Sequence, residues 1–142
     1  MKVDEVPQDE GMIGDYGQEV CYAIGHDGKY TLAPSLGWEV KNIVNNQAWT
    51  IIAEETKIMH LLVKKGKRSP IAYYQTRHQM DLGLLASYVN MARWRVKRHL
   101  NPMVFKGLPD RILQRYATVF GLSLEAVKTI PDTFTPELIR QR

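Results

Sequence analysis

The sequence predicts a mainly α-helical fold, in which a short β-hairpin and one long amphipathic helix precede a five-helix domain. Three observations lead to this prediction. Apolar residues alternate with a period of two around residue 27, they recur every three or four residues between 42 and 65, and proline, glycine and capping residues divide the rest into short segments. With 142 residues, 44% of them hydrophobic, the chain is long enough to bury a core.

The composition excludes several classes of protein. No apolar run approaches the roughly 18–20 residues that a membrane span needs, and the N-terminal MKVDEVPQDE is acidic where a secretory signal is apolar. Cys21 is the single cysteine, so it has no internal disulfide partner, which is typical of a reducing compartment. We therefore expect a cytoplasmic protein that does not contact a membrane.

The net charge of +4 conceals an asymmetry along the chain. Residues 1–63 carry four basic and ten acidic side chains, a net charge of −6, whereas residues 64–106 carry ten basic side chains against Asp81 alone, a net charge of +9. A basic block in one stretch is typical of a protein that binds a polyanion, most often nucleic acid. A solvated basic face without a partner explains the charge alone equally well.

The first third of the chain is interpreted as an arm and a hairpin. Residues 1–18 are acidic and rich in glycine, so we expect a flexible arm there. Apolar residues then alternate on both sides of Asp27-Gly28, a pair that favours a two-residue type I′ turn between strands at about 20–25 and 29–33. The hairpin is expected to end at a group of turn-forming residues: Pro34, Ser35 and Gly37.

The long helix is predicted from Asn42 to Lys65, with Asn42 as its N-cap and Gly66 at its C-terminal end. Its apolar side chains share one face: Val44, Ala48, Ile51, Ile52, Ile58, Met59 and Leu62. A stripe of this length is more than one small hairpin can cover. We expect it to pack on the short helices or on a second copy of the chain, and we favour a homodimer.

Five short helices are expected in the rest of the chain, at about 70–79, 82–89, 92–100, 109–120 and 123–129. Ser69 with Pro70 begins the first of them, Asp81 caps the second, and Asn101-Pro102 stops the third. The predicted organisation is therefore an arm, a packing and dimerisation region, a helical domain and a tail, at 1–18, 19–66, 67–130 and 131–142.

The segment 81–100, DLGLLASYVNMARWRVKRHL, resembles the helix-turn-helix core of the Xre/Cro, or lambda-repressor-like, family. Leu85-Ala86 places a bulky side chain beside a small one where two helices cross. Asn90 stands at the turn position that needs a positive φ. Val96 falls at the position that the family buries in its recognition helix.

The resemblance covers about residues 70–130 and departs from the family at two points. His99 stands where a bulky apolar residue is usual, and the stretch after Val96 is about two residues longer than the common pattern. What the resemblance implies is a five-helix domain that binds double-stranded DNA, and a transcriptional regulator of bacterial or phage type. Its recognition helix would be 92–100.

The composition of helix 92–100 supports this independently, because the helix carries four basic residues and no acidic one. Arginine in the major groove can bond guanine O6 and N7 together. By the usual orientation of the motif, the side chains expected at base edges are Arg93, Trp94, Lys97 and Arg98. Phosphate contacts are expected from Lys64, Lys65, Lys67, Arg68 and Arg95. The alternatives are a solubilising helix face and, for Trp94, a packed position.

Other chemistry finds little support in the sequence. The histidines show no HxxxH spacing and Cys21 has no CxxC partner, so we expect no metal site, no cofactor and no catalytic constellation. No small-molecule ligand is evident. The sequence thus predicts a non-enzymatic, sequence-specific DNA-binding protein that forms a homodimer. The alternative is a protein-interaction module that uses the same fold as a scaffold, without specific DNA binding.

Overall fold

The computed structural model describes residues 1–9 and 17–136. Within these ranges the protein has seven α-helices and one two-stranded antiparallel sheet, which confirms the predicted mainly α class with a hairpin. The chain forms two compact units, Met1–Thr50 and Ile51–Arg142, that divide within the long helix. Each unit has its own hydrophobic core.

The sheet of the first unit pairs β1 (Glu19–Ile24) with β2 (Tyr30–Ser35), and Tyr22 lies opposite Leu32 at its centre. The expectation that Pro34 and Ser35 end the hairpin is wrong, since both belong to β2. Proline is tolerated here because β2 is an edge strand of the two-stranded sheet that the described residues form.

The hairpin loop also differs from the prediction. Residues 25–29 connect the strands in place of a two-residue turn, and only Gly28, not Asp27, has a positive φ, at 76°. The Gly28 amide donates to the carbonyl of Gly25, 3.0 Å away, and the Asp27 carboxylate accepts from the Lys29 amide at 3.1 Å. A turn followed by one left-handed residue is the usual build of a longer hairpin loop.

Residues 1–9 of the predicted arm lie against the hairpin. A 3-10 turn covers Val3–Glu5, and Val6 is buried with Ala23 and Ala33. The Ile24 amide donates to the carbonyl of Met1 at 3.0 Å. Residues 10–16 of that arm lie outside the described residues.

The long helix, α1 (Glu39–Lys64), begins three residues before its predicted start. Its N-terminal amide, on Glu39, donates to the Asp9 carboxylate at 3.0 Å, so Asp9 takes the role expected of Asn42. Asn42 is inside the helix, and its side-chain amide donates to the Asp9 carbonyl at 3.3 Å. Gly66, with φ of 69°, follows the C-terminal end as predicted.

The second unit surrounds one core, whose fully buried side chains include Tyr73, Leu85, Val96, Tyr116 and Val127. The five predicted short helices are all present. The second unit contains these five and one further helix. The six are α2 (Pro70–Arg77), α3 (Leu82–Tyr88), α4 (Arg93–His99), α5 (Pro102–Lys106), α6 (Asp110–Phe120) and α7 (Leu124–Val127).

The additional helix, α5, is the element that the sequence reasoning missed. Asn101-Pro102 was expected only to stop the preceding helix, but it also begins the next one. The Asn101 side chain accepts from the Met103 amide at 2.9 Å, and Pro102 occupies the first helical position, where no N–H is needed. This extra turn of helix lies between α4 and α6.

Within the second unit, the packed face of α1 is rotated from the predicted stripe. Met59 and Val63 pack on the core, and Thr56 is buried beside them. Ile51 and Ile58, which were expected on the packed face, are both more than half exposed. None of the helices among the described residues is both long enough and apolar enough to cross a membrane.

Candidate nucleic-acid interface

Helices α3 and α4 are joined by a tight turn that Asn90 makes possible. Asn90 has φ of 52°, the left-handed conformation that the sequence predicts, and asparagine tolerates it better than most side chains. The Met91 amide donates to the carbonyl of Ala86 at 3.0 Å, and the Asn90 amide donates to that of Ser87 at 3.1 Å. These bonds reverse the chain between the two helices.

Buried side chains fix which face of α4 meets the core. Val96 is fully buried, as predicted, and His99 one turn later is buried as well. On α3, Leu85 and Ala86 are buried at the crossing of the two helices. The opposite face of α4 is therefore directed to solvent.

His99 is accommodated in the core through a polar partner. Its Nδ1 atom lies 2.8 Å from the hydroxyl of Tyr116 on α6, inside the core. Burial, with smaller contributions from Arg95 and Arg98, lowers the pKa of His99 below its ordinary value. Burial raises the pKa of the Tyr116 hydroxyl, so both groups are neutral at neutral pH. The Nδ1 atom of this buried histidine therefore has a hydrogen-bond partner.

Ser69 ties the end of α4 to the start of α2. Its Oγ donates to the His99 carbonyl at 2.8 Å, and its amide donates to the Leu100 carbonyl at 3.0 Å. The residue is fully buried. The sequence assigned Ser69 to the start of α2 only, whereas its hydroxyl makes no capping bond there. Its role in positioning α4 depends on a contact across 30 residues and leaves no local signal.

Arg115 on α6 fixes the turn between α3 and α4 from outside. Its Nη1 donates to the Asn90 carbonyl at 3.2 Å and to the Val89 carbonyl at 3.4 Å. Both carbonyls belong to the turn, where the helical hydrogen-bond pattern stops. Arg115 is a positioning residue that the sequence reasoning also missed.

The solvent face of α4 presents the side chains expected at base edges. All four are exposed: Arg93, Trp94, Lys97 and Arg98. Trp94 is 62% exposed, so the alternative of a packed tryptophan does not describe it. Arg95 is exposed too. The face carries four positive charges, one large aromatic surface and no acidic residue.

A polar groove of about 410 Å³ runs along α3 and the turn to the start of α4. Its lining comes from α3, the turn and the first residue of α4: Gly83, Ala86, Ser87, Asn90, Met91, Ala92 and Arg93. The Arg93 guanidinium lies close to Gly83, since a Cβ added there would be 3.6 Å from its Cζ and 3.2 Å from the Asp81 carboxylate. Asp81 caps α3 as predicted, accepting from the Leu84 amide at 2.7 Å.

The other expected phosphate contacts differ in their surroundings. Lys64, the last residue of α1, donates to the Asp132 carboxylate at 3.0 Å. Lys65, Lys67 and Arg68 follow in the connection to α2 and are exposed. An exposed ion pair of this kind is worth at most about 1 kcal/mol, so it does not prevent Lys64 from reaching another anion.

The described residues contain no group of three or more side chains with the geometry to hold a metal ion. Comparison with known proteins found no matching family model, no matching curated protein and no matching solved structure.

Proposed function

We propose that this protein binds double-stranded DNA sequence-specifically through a helix-turn-helix unit of the lambda-repressor-like type, with α4 as its recognition helix, and regulates transcription in a bacterial or phage setting. The observation that carries the proposal is the solvent face of α4. It combines four cationic side chains and an exposed tryptophan with no acidic residue. The buried Val96 holds the same helix on the core.

The dimensions and chemistry of that face suit the major groove. Seven helical residues span about 10 Å at 1.5 Å per residue, and the groove is about 12 Å wide. Arg93 and Lys97 lie four residues apart, on one face of the helix. Arginine distinguishes guanine from the other bases by two hydrogen bonds, and an apolar surface such as that of Trp94 can contact the thymine methyl group.

Phosphate contacts would come from the basic residues around this face: Lys64, Lys65, Lys67, Arg68 and Arg95. Such contacts position a protein on the duplex but read no sequence. The carboxylate of Asp81 repels phosphate, so the proposed backbone contacts lie away from the first turn of α3.

The test is a titration of a genomic fragment library with the whole 142-residue chain at about 50 mM and about 200 mM salt. We expect a few fragments to be strongly preferred, and their affinity to fall steeply with salt because neutralised phosphates release counterions. Lys29→Ala, on the hairpin loop of the first unit, is the charge-matched control and should bind as the wild type does. If no fragment exceeds bulk DNA at either salt, the α3–α4 unit is a scaffold for protein interaction instead.

A further inference from the structure

The two faces of the β1–β2 hairpin are covered very differently. On one face, Ala23 and Ala33 are buried under Val6 of the N-terminal segment. The other face consists of the alternate residues and is open: Tyr22 and Tyr30 are 75% and 80% exposed. Its remaining apolar members are also exposed, namely Val20, Ile24 and Leu32. These five side chains are called the ribbon face.

The ribbon face is large for an uncovered apolar surface. An aromatic side chain presents roughly 150–250 Å², so the two tyrosines contribute on the order of 300 Å². With the three aliphatic residues the total is on the order of 500 Å². A standard interface buries about 800 Å² per partner, and about 65% of a homodimer interface is apolar. The ribbon face thus supplies the apolar area that one side of a dimer needs.

The charge of the ribbon face and of the residues around it excludes some classes of binding partner. The ribbon face contains no charged side chain, and residues 1–50 carry three basic against eight acidic residues, a net charge of −5. A nucleic acid or an anionic lipid surface requires positive charge and is disfavoured. The expected partner is then a protein with an uncharged, apolar face. A second copy of this chain has such a face, namely its own ribbon face.

We propose that a second copy of this chain covers the ribbon face, with the two ribbon faces packed against each other about a two-fold axis near Tyr22 and Leu32. A two-fold contact uses the same patch on both subunits, so a flat face without charges is self-complementary. The side chains of two facing sheets interdigitate at a separation of about 10 Å. This interface is independent of the proposed DNA binding and uses none of the residues of the α1 stripe that the sequence favoured.

The experiment is sedimentation velocity of the whole 142-residue chain without DNA, over micromolar to hundreds of micromolar concentrations. The wild type is expected to sediment as a dimer, and to remain one at about 0.5 M salt, where DNA affinity is lost. Failure of the dimer and failure of DNA binding are therefore separate results. Tyr22→Thr combined with Leu32→Lys should give a monomer with unchanged circular dichroism, because both side chains are exposed in the monomer.

Thr31→Lys is the matched control, since Thr31 is exposed on the opposite face, paired with Ala23. It should remain a dimer. Oxidative cross-linking provides a second readout in a Cys21→Ser background: Leu32→Cys should form a covalent dimer and Thr31→Cys should not. A wild type that is monomeric at the highest concentration overturns the proposal. So does a dimer that survives Tyr22→Thr/Leu32→Lys but dissociates with Ile51→Lys/Ile58→Lys, which would place the contact on α1.

Discussion

The Nδ1 atom of His99 on α4 lies 2.8 Å from the hydroxyl of Tyr116 on α6, and both residues are buried. This contact joins the proposed recognition helix to the centre of the second unit. Burial favours the neutral imidazole, because a protonated ring would place a charge in the core and near Arg95 and Arg98. The stability of the second unit is thereby linked to the protonation of one side chain.

The first prediction is that stability falls on mild acidification. The pKa of His99 is lowered in the folded state from the ordinary value of 6.5, so the unfolded chain takes up the proton first. The stabilisation is complete above pH 6.5 and is lost as the pH falls through the lower, folded-state pKa. Urea denaturation at about pH 7.5 and about pH 5.5 should show a lower midpoint at the acidic pH.

The double variant His99→Leu/Tyr116→Phe removes the titrating pair, and its midpoint should change less. An equal change in both proteins would assign the pH dependence to other groups.

The second prediction concerns Arg115. Arg115→Ala removes the donor that bonds the Val89 and Asn90 carbonyls, and should lower the free energy of unfolding by about 1 kcal/mol, since these bonds are partly solvent-exposed. Hydrogen exchange of the Met91 amide should accelerate. Arg111→Ala, an exposed arginine on the same helix, serves as the control and should stay within about 0.5 kcal/mol of the wild type. Loss of stability in both variants alike would mean that helix α6, and not the turn, is affected.

Local sequence patterns predicted the fold correctly at positions where the residue type favours one particular role in the backbone. Gly66 ends α1, Asp81 caps α3, and Asn90 adopts a positive φ, because each depends only on its neighbours in sequence. Asn101-Pro102 was ambiguous, since the same pair stops one helix and begins another. Asp9 caps α1 from 30 residues away, which no local pattern reveals.

At the candidate site, too, the sequence predicted the local features but not the contacts between distant segments. The helical period places Trp94 and Arg98, each two residues from the buried Val96, on the opposite side of α4, so their exposure followed from the sequence. Arg93 lies three residues before Val96, and it is exposed at the first position of the helix. Ser69 and Arg115 position the site through bonds to backbone carbonyls of distant segments. A backbone carbonyl is present at every residue, so sequence carries no signal for which one a side chain will reach.

The third prediction separates base contacts from phosphate contacts. Arg93→Ala or Arg98→Ala should cost about 1–3 kcal/mol of binding free energy on the preferred fragment and relax the preference at one base position. Lys65→Ala should weaken all sequences similarly and reduce the slope of log affinity against log salt by about 1. Fluorescence anisotropy with the preferred and a scrambled duplex measures both quantities. If Arg93→Ala and Arg98→Ala lose the same affinity on both duplexes, neither side chain reads a base.

The last prediction uses the two non-glycine residues with positive φ among the described residues, Asn90 at 52° and Gln79 at 55°. A left-handed conformation costs a residue with a Cβ roughly 1–2 kcal/mol. This free-energy cost is smaller for asparagine than for most other side chains. Gln79→Gly should therefore raise the free energy of unfolding by up to about 1 kcal/mol, and Asn90→Gly should change it less. Asn90→Val should lower it by about 1–2 kcal/mol, because β-branched residues fit this region worst. Urea denaturation gives all three values. If Asn90→Val leaves the free energy of unfolding unchanged, the turn relaxes to another backbone conformation. The relative position of α3 and α4 would then shift, and the proposed DNA affinity would be lost.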